Sequence, residues 1–410
     1  MNYRFRPPRP NRLVIALVNT LLPLLLRARE RVVRVVVEPD GWRLLRELRG
    51  RPALLVLNHP SETEPSVMTW LARALGEPFF YLATHEIFAG PVGWLVQRMG
   101  AFSVVRGRPD FAALRTAVNV LARQRRKLVV FPEGETHMQN DLVLPLKAGA
   151  VQIGFWARER GEAVSLPIVP LVIRYRYVGD ALPALARGMA RLERRLGLSA
   201  GATSDLAGWL RRAGLVVLDG VEREYGLTPP AGSDLDERVG AVTEYIVARV
   251  AHTLPMQARL PDRVKTLAGP DAPLPLRMRA LFNAVFDYVD GLAEGKTFYE
   301  RRLHRRRVAA ARSCLADLWR MQNFLVITAD ALNPPAPPER LGEVLFRLER
   351  EVYGTARTRP WREARIVVGV PLDLADYQAD HAASRKRTLA RVTGEIETRL
   401  RALLAEQQPG

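Results

Sequence analysis

The feature that most constrains the fold is the five-residue apolar run Ala53–Leu57, which lies between Pro52 and Asn58-His59-Pro60. An apolar run of this length with prolines on both sides is typical of a buried strand. It places His59 just after the strand and a carboxylate, Glu64, five residues later. Open α/β sheets bind ligands at the carboxyl ends of their strands. A histidine oriented by a carboxylate is a common general base, so this position is a candidate active site.

A histidine that simply ends a strand is the alternative, and three later segments argue against it. Each is a predicted strand that ends in a polar or proline-marked segment: Gly100–Arg106, Lys127–Gly134 and Leu166–Ile173. The first brings Arg106 to its end. The second brings Glu133 into a tight turn between Pro132 and Gly134, where backbone N–H groups can face a ligand. Four such segments in one chain favour a common site.

In this order the segments resemble the glycerolipid acyltransferase family, which includes the lysophosphatidic acid acyltransferases. The family's motifs are Asn-His-x4-Asp, Gly-x-Phe-x-x-x-Arg, Phe-Pro-Glu-Gly and a proline-marked strand. They correspond here to His59–Glu64, Gly100–Arg106, Phe131–Gly134 and Pro167–Pro170. The resemblance covers residues 35–178, under half of the chain. It implies an α/β fold with a mostly parallel sheet flanked by helices.

The resemblance also implies an activity. The expected reaction moves a fatty acyl group from an acyl thioester, acyl-CoA or acyl-carrier protein, to a hydroxyl of a glycerolipid or lysophospholipid such as 1-acylglycerol-3-phosphate. His59 is the expected general base, and Glu64 orients its ring. Arg106, Glu133 and Gly134 are expected to bind the acceptor headgroup. The alternative for Glu133 is a purely structural part in its turn.

Two positions depart from the family's pattern. Glu64 stands where the family has aspartate, so its side chain is one methylene longer, and Glu62 is a competing candidate. Glu135-Thr136-His137 stands where the family has Thr-Arg-Ser. Glu135 and Thr136 are still expected at the acceptor site. The missing arginine removes a cation that could hold a phosphate.

These departures leave other functions open. Without the arginine, the acceptor could be a non-phosphate lipid such as an aminoacyl lipid. A non-catalytic membrane- or partner-binding protein with the same fold is also open, because Glu64 is longer than the family's aspartate and the chain has a large insertion. Ser61 as a nucleophile is a weaker option, because it lacks the Gly-x-Ser-x-Gly setting.

The pattern of predicted elements divides the chain into four parts. Residues 1–30 are a basic and apolar membrane-associating segment, and 31–179 are the acyltransferase core. Residues 180–360 are mainly helical and are predicted to be an all-helical insertion, and 361–410 supply a closing strand and helix. The core is predicted to begin with a strand over 32–37. In the insertion, helices are predicted over 205–213 and 297–330, and 215–218 is too short to assign. Cys314, the single cysteine, lies in a helical run of the insertion and is expected to pack there.

The formal net charge of +18 calls for an anionic partner. No zinc-finger spacing, RNP-like strand or basic zipper is present, so nucleic acid is not expected. An anionic membrane fits better, because six arginines flank the apolar stretch Leu13–Leu26. As a helix that stretch is about 21 Å long, short of the roughly 30 Å hydrocarbon core.

An interfacial helix is therefore expected, with the protein peripheral or monotopic at the cytoplasmic face of the membrane. The alternative is a helix packed on the protein's own core. The run Arg301–Arg307 is expected to be a solvated helix face, or else a contact with lipid headgroups or a partner. No metal-ligand spacing and no Walker or Gly-x-Gly-x-x-Gly loop is present, so no tightly bound cofactor is expected.

Overall fold

The computed structural model describes residues 3–105, 110–161, 165–198, 205–253, 272–292, 296–328, 330–333 and 336–406. It divides the chain into two compact units. The sheet unit is built from Tyr3–Arg176 and Arg362–Gly410, and the helical unit from Tyr177–Trp361. The helical unit therefore begins and ends within a few residues of the segment expected at 180–360.

The described strands form one sheet. They are β1 (Val32–Val37), β2 (Ala53–Leu57), β3 (Phe79–Thr84), β4 (Ala101–Val104), β5 (Lys127–Val130), β6 (Pro167–Tyr177), β7 (Arg362–Val368) and β8 (Leu372–Asp373). Their order is β1-β7-β6-β2-β5-β3-β4, with β8 paired to β6. β2 is parallel to β5 and β6, β3 to β4 and β5, and β1 to β7, whereas β8 is antiparallel to β6. The predicted mostly parallel α/β sheet is confirmed.

The described α-helices cover both units. They are α1 (Arg12–Ala28), α2 (Pro39–Glu47), α3 (Glu64–Leu75), α4 (Gly90–Arg98), α5 (Phe111–Ala122), α6 (Gly149–Gly161), α7 (Leu182–Leu196), α8 (Leu206–Tyr225), α9 (Leu235–Thr253), α10 (Leu274–Asp290), α11 (Phe298–Phe324), α12 (Pro338–Tyr353), α13 (Gln378–Ala383) and α14 (Arg385–Ala405).

Strand β2 is the centre of the sheet unit, and all five of its residues are buried. Its side chains alternate between two apolar clusters. Leu54 and Val56 join one cluster with α5, α6 and α14, whereas Leu55 and Leu57 join the other with α1, α2 and α3. Because strand side chains point to opposite faces in turn, helices cover both faces of the sheet. This explains why β2 reads as a continuous apolar run.

Strand β7 follows the helical unit in sequence but belongs to the same sheet as β2 and β5. It pairs with β1 in parallel, with Ile366 opposite Val37. Gly369, just after β7, donates its backbone N–H to the Pro170 carbonyl of β6 (2.8 Å). The carboxyl-terminal part of the chain is therefore integral to the sheet unit.

Residues 3–11 run along the edge of the sheet before α1. The Arg6 backbone bonds to Ser103 of β4, donating to its Oγ (2.8 Å) and accepting from its N–H (3.0 Å). Arg9 donates its N–H to the Gln97 carbonyl at the end of α4 (2.9 Å). Asn11 then caps α1, its side chain accepting from the first turn. The first residues of the chain are thus attached to the sheet unit.

Helix α1 has two unlike faces. Leu22 and Leu26 are buried in the apolar cluster of α2 and α3, whereas Leu13, Leu17 and Leu24 are 81%, 60% and 64% exposed. One face of the helix therefore packs on the core, and the other is exposed; contact of the exposed face with a membrane stays a prediction. Within the described ranges, no helix has the length and apolarity that a membrane-crossing segment needs.

The helical unit has its own apolar core, to which α7–α12 all contribute. Two of its helices differ from the expected bounds. Helix α8 does not end at Ala213 but runs to Tyr225, so it includes the unassigned residues 215–218, and α11 ends at Phe324 instead of Asp330. Cys314 is buried in this core, and burial raises the pKa of its thiol to about 11. It therefore stays a neutral packing residue at physiological pH.

Candidate active site

The site begins where β2 ends. The Asn58 side chain is fully buried and bonds in both directions to the Ile173 backbone of β6, accepting from its N–H (2.8 Å) and donating to its carbonyl (3.1 Å). This pair ties the end of β2 to the neighbouring strand. His59 follows at the carboxyl edge of the sheet, with a side chain that is 17% exposed.

Glu64, the first residue of α3, holds the histidine ring. Its Oε2 lies 2.7 Å from His59 Nδ1 and accepts the Ser61 backbone N–H at 3.1 Å. Its Oε1 accepts the Ser61 hydroxyl at 2.6 Å and the Tyr175 hydroxyl at 2.7 Å. Four donors therefore surround one carboxylate that is fully buried.

This arrangement fixes the tautomer of His59. A carboxylate can only accept, so Nδ1 carries the hydrogen and Nε2 keeps the lone pair that could take a proton. The longer side chain of Glu64 reaches the ring without difficulty. Glu62, the competing candidate, is exposed, and the structure places Glu64 against His59 instead.

Tyr175 on β6 is a contact that the sequence analysis missed. Burial raises the pKa of its hydroxyl well above the ordinary value, and the negative charge of Glu64 raises it further. The hydroxyl therefore stays protonated and donates to Glu64. Arg362 of β7 lies over the Tyr175 ring, 4.1 Å from its centroid, and donates to Thr63 Oγ1 at 2.7 Å. A strand that follows the helical unit thus supports this side of the site.

The turn after β5 contacts the other side of His59. The Phe131 ring stacks on the imidazole, with 4.3 Å between ring centroids. Glu133 is fully buried, and its Oε1 accepts the His59 backbone N–H at 2.8 Å. Its Oε2 accepts the Leu144 N–H at 2.8 Å and lies 3.0 Å from His137 Nε2. These contacts favour the structural alternative for Glu133, because its side chain connects the turn after β5 to the backbone of His59.

Gly134 occupies a position that suits only glycine. Its φ is +78°, and a Cβ there would collide with the Lys147 ammonium group. Glu135 and His137 are buried in this turn, and Thr136 is partly exposed. Lys147, which the sequence analysis did not single out, therefore lies against the turn that carries four of the five predicted acceptor-site residues. Arg106, the fifth, lies outside the described residues.

Three backbone amides near the site are already engaged. The Gly134 N–H donates to the Phe131 carbonyl at 3.0 Å, and those of His59 and Ser61 donate to Glu133 and Glu64. In this arrangement they build the turns around His59.

Comparison with known proteins shows what the segment around this site is similar to. Residues 37–174 match the family model described as Acyltransferase. A 1-acyl-sn-glycerol-3-phosphate acyltransferase of Streptococcus pneumoniae is 32% identical over 108 residues, which are 26% of this chain and 38% of that protein. A lyso-ornithine lipid O-acyltransferase of Pseudomonas aeruginosa is 31% identical over 142 residues, 34% of this chain and 50% of that protein.

The match to the Acyltransferase model covers residues 37–174 of the 410, which is less than half of the chain. The family resemblance inferred from the four motifs is confirmed. The chain spans half or less of the length of these two relatives.

Not every residue around His59 lies in the matched acyltransferase segment. His59, Glu64, Glu133 and Gly134 do, whereas Tyr175 and Arg362 lie beyond it. In the part of the chain that the structure describes, no three His, Cys, Asp or Glu side chains come together as candidate metal ligands.

Proposed function

We propose that this protein is an O-acyltransferase that moves a fatty acyl group from an acyl thioester to a hydroxyl of a lysolipid. The observation that carries the proposal is the 2.7 Å contact between His59 Nδ1 and Glu64 Oε2, at the carboxyl end of β2. This pair lies in the segment that matches the acyltransferase family. Acyl-CoA or acyl-carrier protein is the proposed donor, and no tightly bound cofactor enters the reaction.

His59 is the proposed general base. Its Nε2 takes the proton of the acceptor hydroxyl while the hydroxyl oxygen attacks the thioester carbonyl carbon. The tetrahedral intermediate then collapses, the C–S bond breaks, and the departing sulfur receives that proton from Nε2. The products are an ester and a free thiol. Glu64 stabilises the imidazolium between these steps, and such base assistance contributes typically ~10² to 10⁴ in rate.

The residues around this pair are proposed to position it. Ser61 and Tyr175 fix the Glu64 carboxylate, and Glu133 fixes the backbone of His59 from the other side. Glu133 therefore acts through His59 and not on the acceptor itself. A general base must be held within hydrogen-bond reach of the proton that it takes, which requires such support.

The acceptor is proposed to bind at the turn of Gly134, Glu135 and Thr136, with Arg106 of the second motif. Thr136 stands where the family has arginine, so a different cation must meet an acidic headgroup at this turn. Lys147, whose ammonium lies against Gly134, is the proposed replacement. It suits the phosphate of a 1-acylglycerol-3-phosphate-like acceptor, which is the first candidate.

The second candidate is a non-phosphate acceptor such as an aminoacyl lipid. Two observations favour it: the uncharged Thr136 at the arginine position and the similarity to a protein named as a lyso-ornithine lipid O-acyltransferase. A lyso-ornithine lipid offers a carboxylate, which a single ammonium such as that of Lys147 can pair.

The sheet unit is proposed to rest on an anionic membrane at its cytoplasmic face. Exposed leucines line one side of α1, and α4 exposes Val92 and Trp94, with Arg98 stacked on Trp94 at 4.1 Å. Apolar side chains next to arginines are the composition of a surface that inserts partly into an anionic bilayer. The proposed association is peripheral or monotopic.

The decisive experiment is an acceptor panel with purified protein. Acyl-CoA and acyl-carrier protein are each combined with 1-acylglycerol-3-phosphate, a lyso-ornithine lipid and a neutral monoacylglycerol, and products are identified by mass spectrometry. We expect an ester product with one donor and one acidic acceptor. The Lys147→Ala variant should raise the KM for that acceptor, whereas Lys386→Ala, an exposed lysine on α14, should not. No product from any pair would contradict the function and favour a non-catalytic binding protein.

A further inference from the structure

The beginning of α11 projects a basic and aromatic surface from the helical unit. We define the α11 tip as residues 296–307. Thr297 and Glu300 form a capping box at its start, and the first buried residue of the helix is Ala311. Phe298 and Tyr299 are 71% and 72% exposed. The tip is therefore a capped helix start in which no residue is fully buried.

The charge of the tip is strongly positive. It carries Lys296 and five exposed arginines, Arg301, Arg302, Arg305, Arg306 and Arg307. Glu300 is its single acidic residue, and backbone hydrogen bonds from Thr297 and Lys296 lower the pKa of this carboxyl. Glu300 keeps its negative charge in the cap, but one carboxylate against one lysine and five arginines leaves the tip strongly positive.

The arginines of the tip differ from those in the body of the same unit. Arg320, later in α11, pairs with Glu224 and Glu351 at 3.0 and 2.7 Å, and Arg249 pairs with Asp317 at 3.0 Å. None of the five tip arginines has an ion pair or a side-chain hydrogen bond to another described residue. Unpaired arginine at this density suits an anionic surface outside the protein.

The order of residues places charge and aromatic rings on one face. At 100° per residue, Arg302 and Arg305 fall on the same side of the helix as Phe298, and Arg306 falls near Tyr299. Aromatic rings interleaved with arginines are typical of helices that lie in a membrane interface, where the rings insert and the guanidinium groups reach the headgroups. A duplex backbone would bind the arginines but would not bury the two rings.

We propose that the α11 tip is a docking surface for anionic lipid, separate from the α1 and α4 surface of the sheet unit. The chemistry that it recognises is a phosphate-bearing headgroup at an interface that also accepts aromatic rings. This inference concerns the helical unit and does not rest on acyl transfer. Its test measures binding, so its failure would leave the proposed reaction untouched.

The experiment compares two full-length triple variants with equal charge changes. Arg302, Arg305 and Arg306 are replaced by serine in one, and Arg187, Arg194 and Arg195 of α7 in the control. The control arginines are exposed and lie in the same unit, without exposed rings beside them. Binding is measured by flotation with phosphatidylcholine vesicles that contain about one third phosphatidylglycerol, a strongly anionic surface.

We expect the tip variant to lose up to about 100-fold in partition coefficient, since each arginine at an anionic surface contributes roughly fivefold. The α7 control should lose less than about threefold, because its charges act only through the screened long-range field. Phe298→Ser with Tyr299→Ser should reduce the binding that survives high salt, and Phe298→Trp with Tyr299→Trp should keep it. Circular dichroism should be unchanged in all four variants, since every substituted side chain is exposed.

Equal losses in the tip and α7 variants would overturn the proposal, because binding would then follow net charge alone. A second result would also overturn it: the tip variant loses affinity for a short RNA or DNA duplex while its vesicle binding equals that of the wild type. That outcome would make the α11 tip a nucleic-acid surface.

Discussion

The charged side chains of the turn after β2 and those of the α11 tip differ in burial and in whether the protein itself supplies their partners. At the turn, the buried Glu64 carboxylate has four donors, all of them from the protein. At the tip, five exposed arginines have no side-chain partner among the described residues. A buried charge must be satisfied internally, because water cannot reach it, whereas exposed charges remain available to a partner. The first region is built to hold one geometry, and the second to meet another surface.

The largest effect expected from this comparison concerns the two glutamates near His59. Glu64→Gln removes the charge that stabilises the imidazolium. It also places an amide NH₂, a donor, among neighbours that are themselves donors. We expect kcat to fall by roughly 10² to 10⁴. Glu62→Gln changes an exposed side chain by the same chemistry and should keep near wild-type kcat. Steady-state kinetics of both variants test this, and a larger loss in Glu62→Gln would transfer the role to Glu62.

Glu133 provides the next test, because it accepts two backbone N–H groups from opposite sides of the site. In Glu133→Gln, the amide NH₂ must face a donor, which leaves buried groups unsatisfied. We expect the free energy of unfolding to fall by about 1–3 kcal/mol and kcat to fall as well. Urea unfolding measures the first quantity. A variant that changes only the acceptor KM, with normal stability, would show that Glu133 contacts the headgroup.

The two faces of α1 sharpen the comparison within one helix. Leu22→Ala removes a buried side chain and should lower the free energy of unfolding by about 2–4 kcal/mol. Leu17→Ala changes an exposed side chain and should alter stability by less than about 0.5 kcal/mol. Binding to anionic vesicles should show the reverse order, with the loss in Leu17→Ala. If Leu17→Ala bound as well as the wild type, the exposed face of α1 would not be the membrane contact.

The smallest expected effect is on the pH dependence of stability. The pKa of Tyr175 is raised in the folded protein by burial and then by Glu64, above the ordinary value near 10 of the unfolded chain. Its contribution is therefore fully present below about pH 10 and is lost as pH rises towards the folded pKa, by up to about 1.4 kcal/mol per pH unit. The Tyr175→Phe variant has no hydroxyl to titrate, so it lacks this pH-dependent contribution to stability. Urea unfolding at rising pH should show a steeper decline for the wild type, and parallel declines would contradict it.

Local patterns in the sequence predicted much of the sheet unit. The bounds of β1 and β2 match the expected ones, because each is a short β-branched or apolar run with clear ends. The contact of Tyr175 with Glu64 spans 111 residues and depends on β6 lying beside β2. Strand order is set by the packing of the whole sheet, so no local pattern identified Tyr175 or Arg362.

One error in the helical unit lies at Gly214. The predicted helix over 205–213 stops just before this residue, and the run 215–218 after it is too short to assign from the sequence. Glycine weakens helices in isolation. The structure continues α8 through Gly214, where a Cβ would lie 3.1 Å from the Ile327 side chain. Close packing against Ile327 therefore explains the glycine, and the sequence of α8 alone does not show this contact.

The most direct test of the central claim is the rate of acyl transfer by purified His59→Ala, with the donor and acceptor that the panel identifies. The account predicts that kcat falls by ~10² to 10⁴, because the proton acceptor is gone. The midpoint of thermal unfolding and the binding to anionic vesicles should remain close to wild type, since His59 lies at the edge of the core. A variant that keeps more than about a tenth of the wild-type kcat would contradict the account, because His59 would then not be the general base.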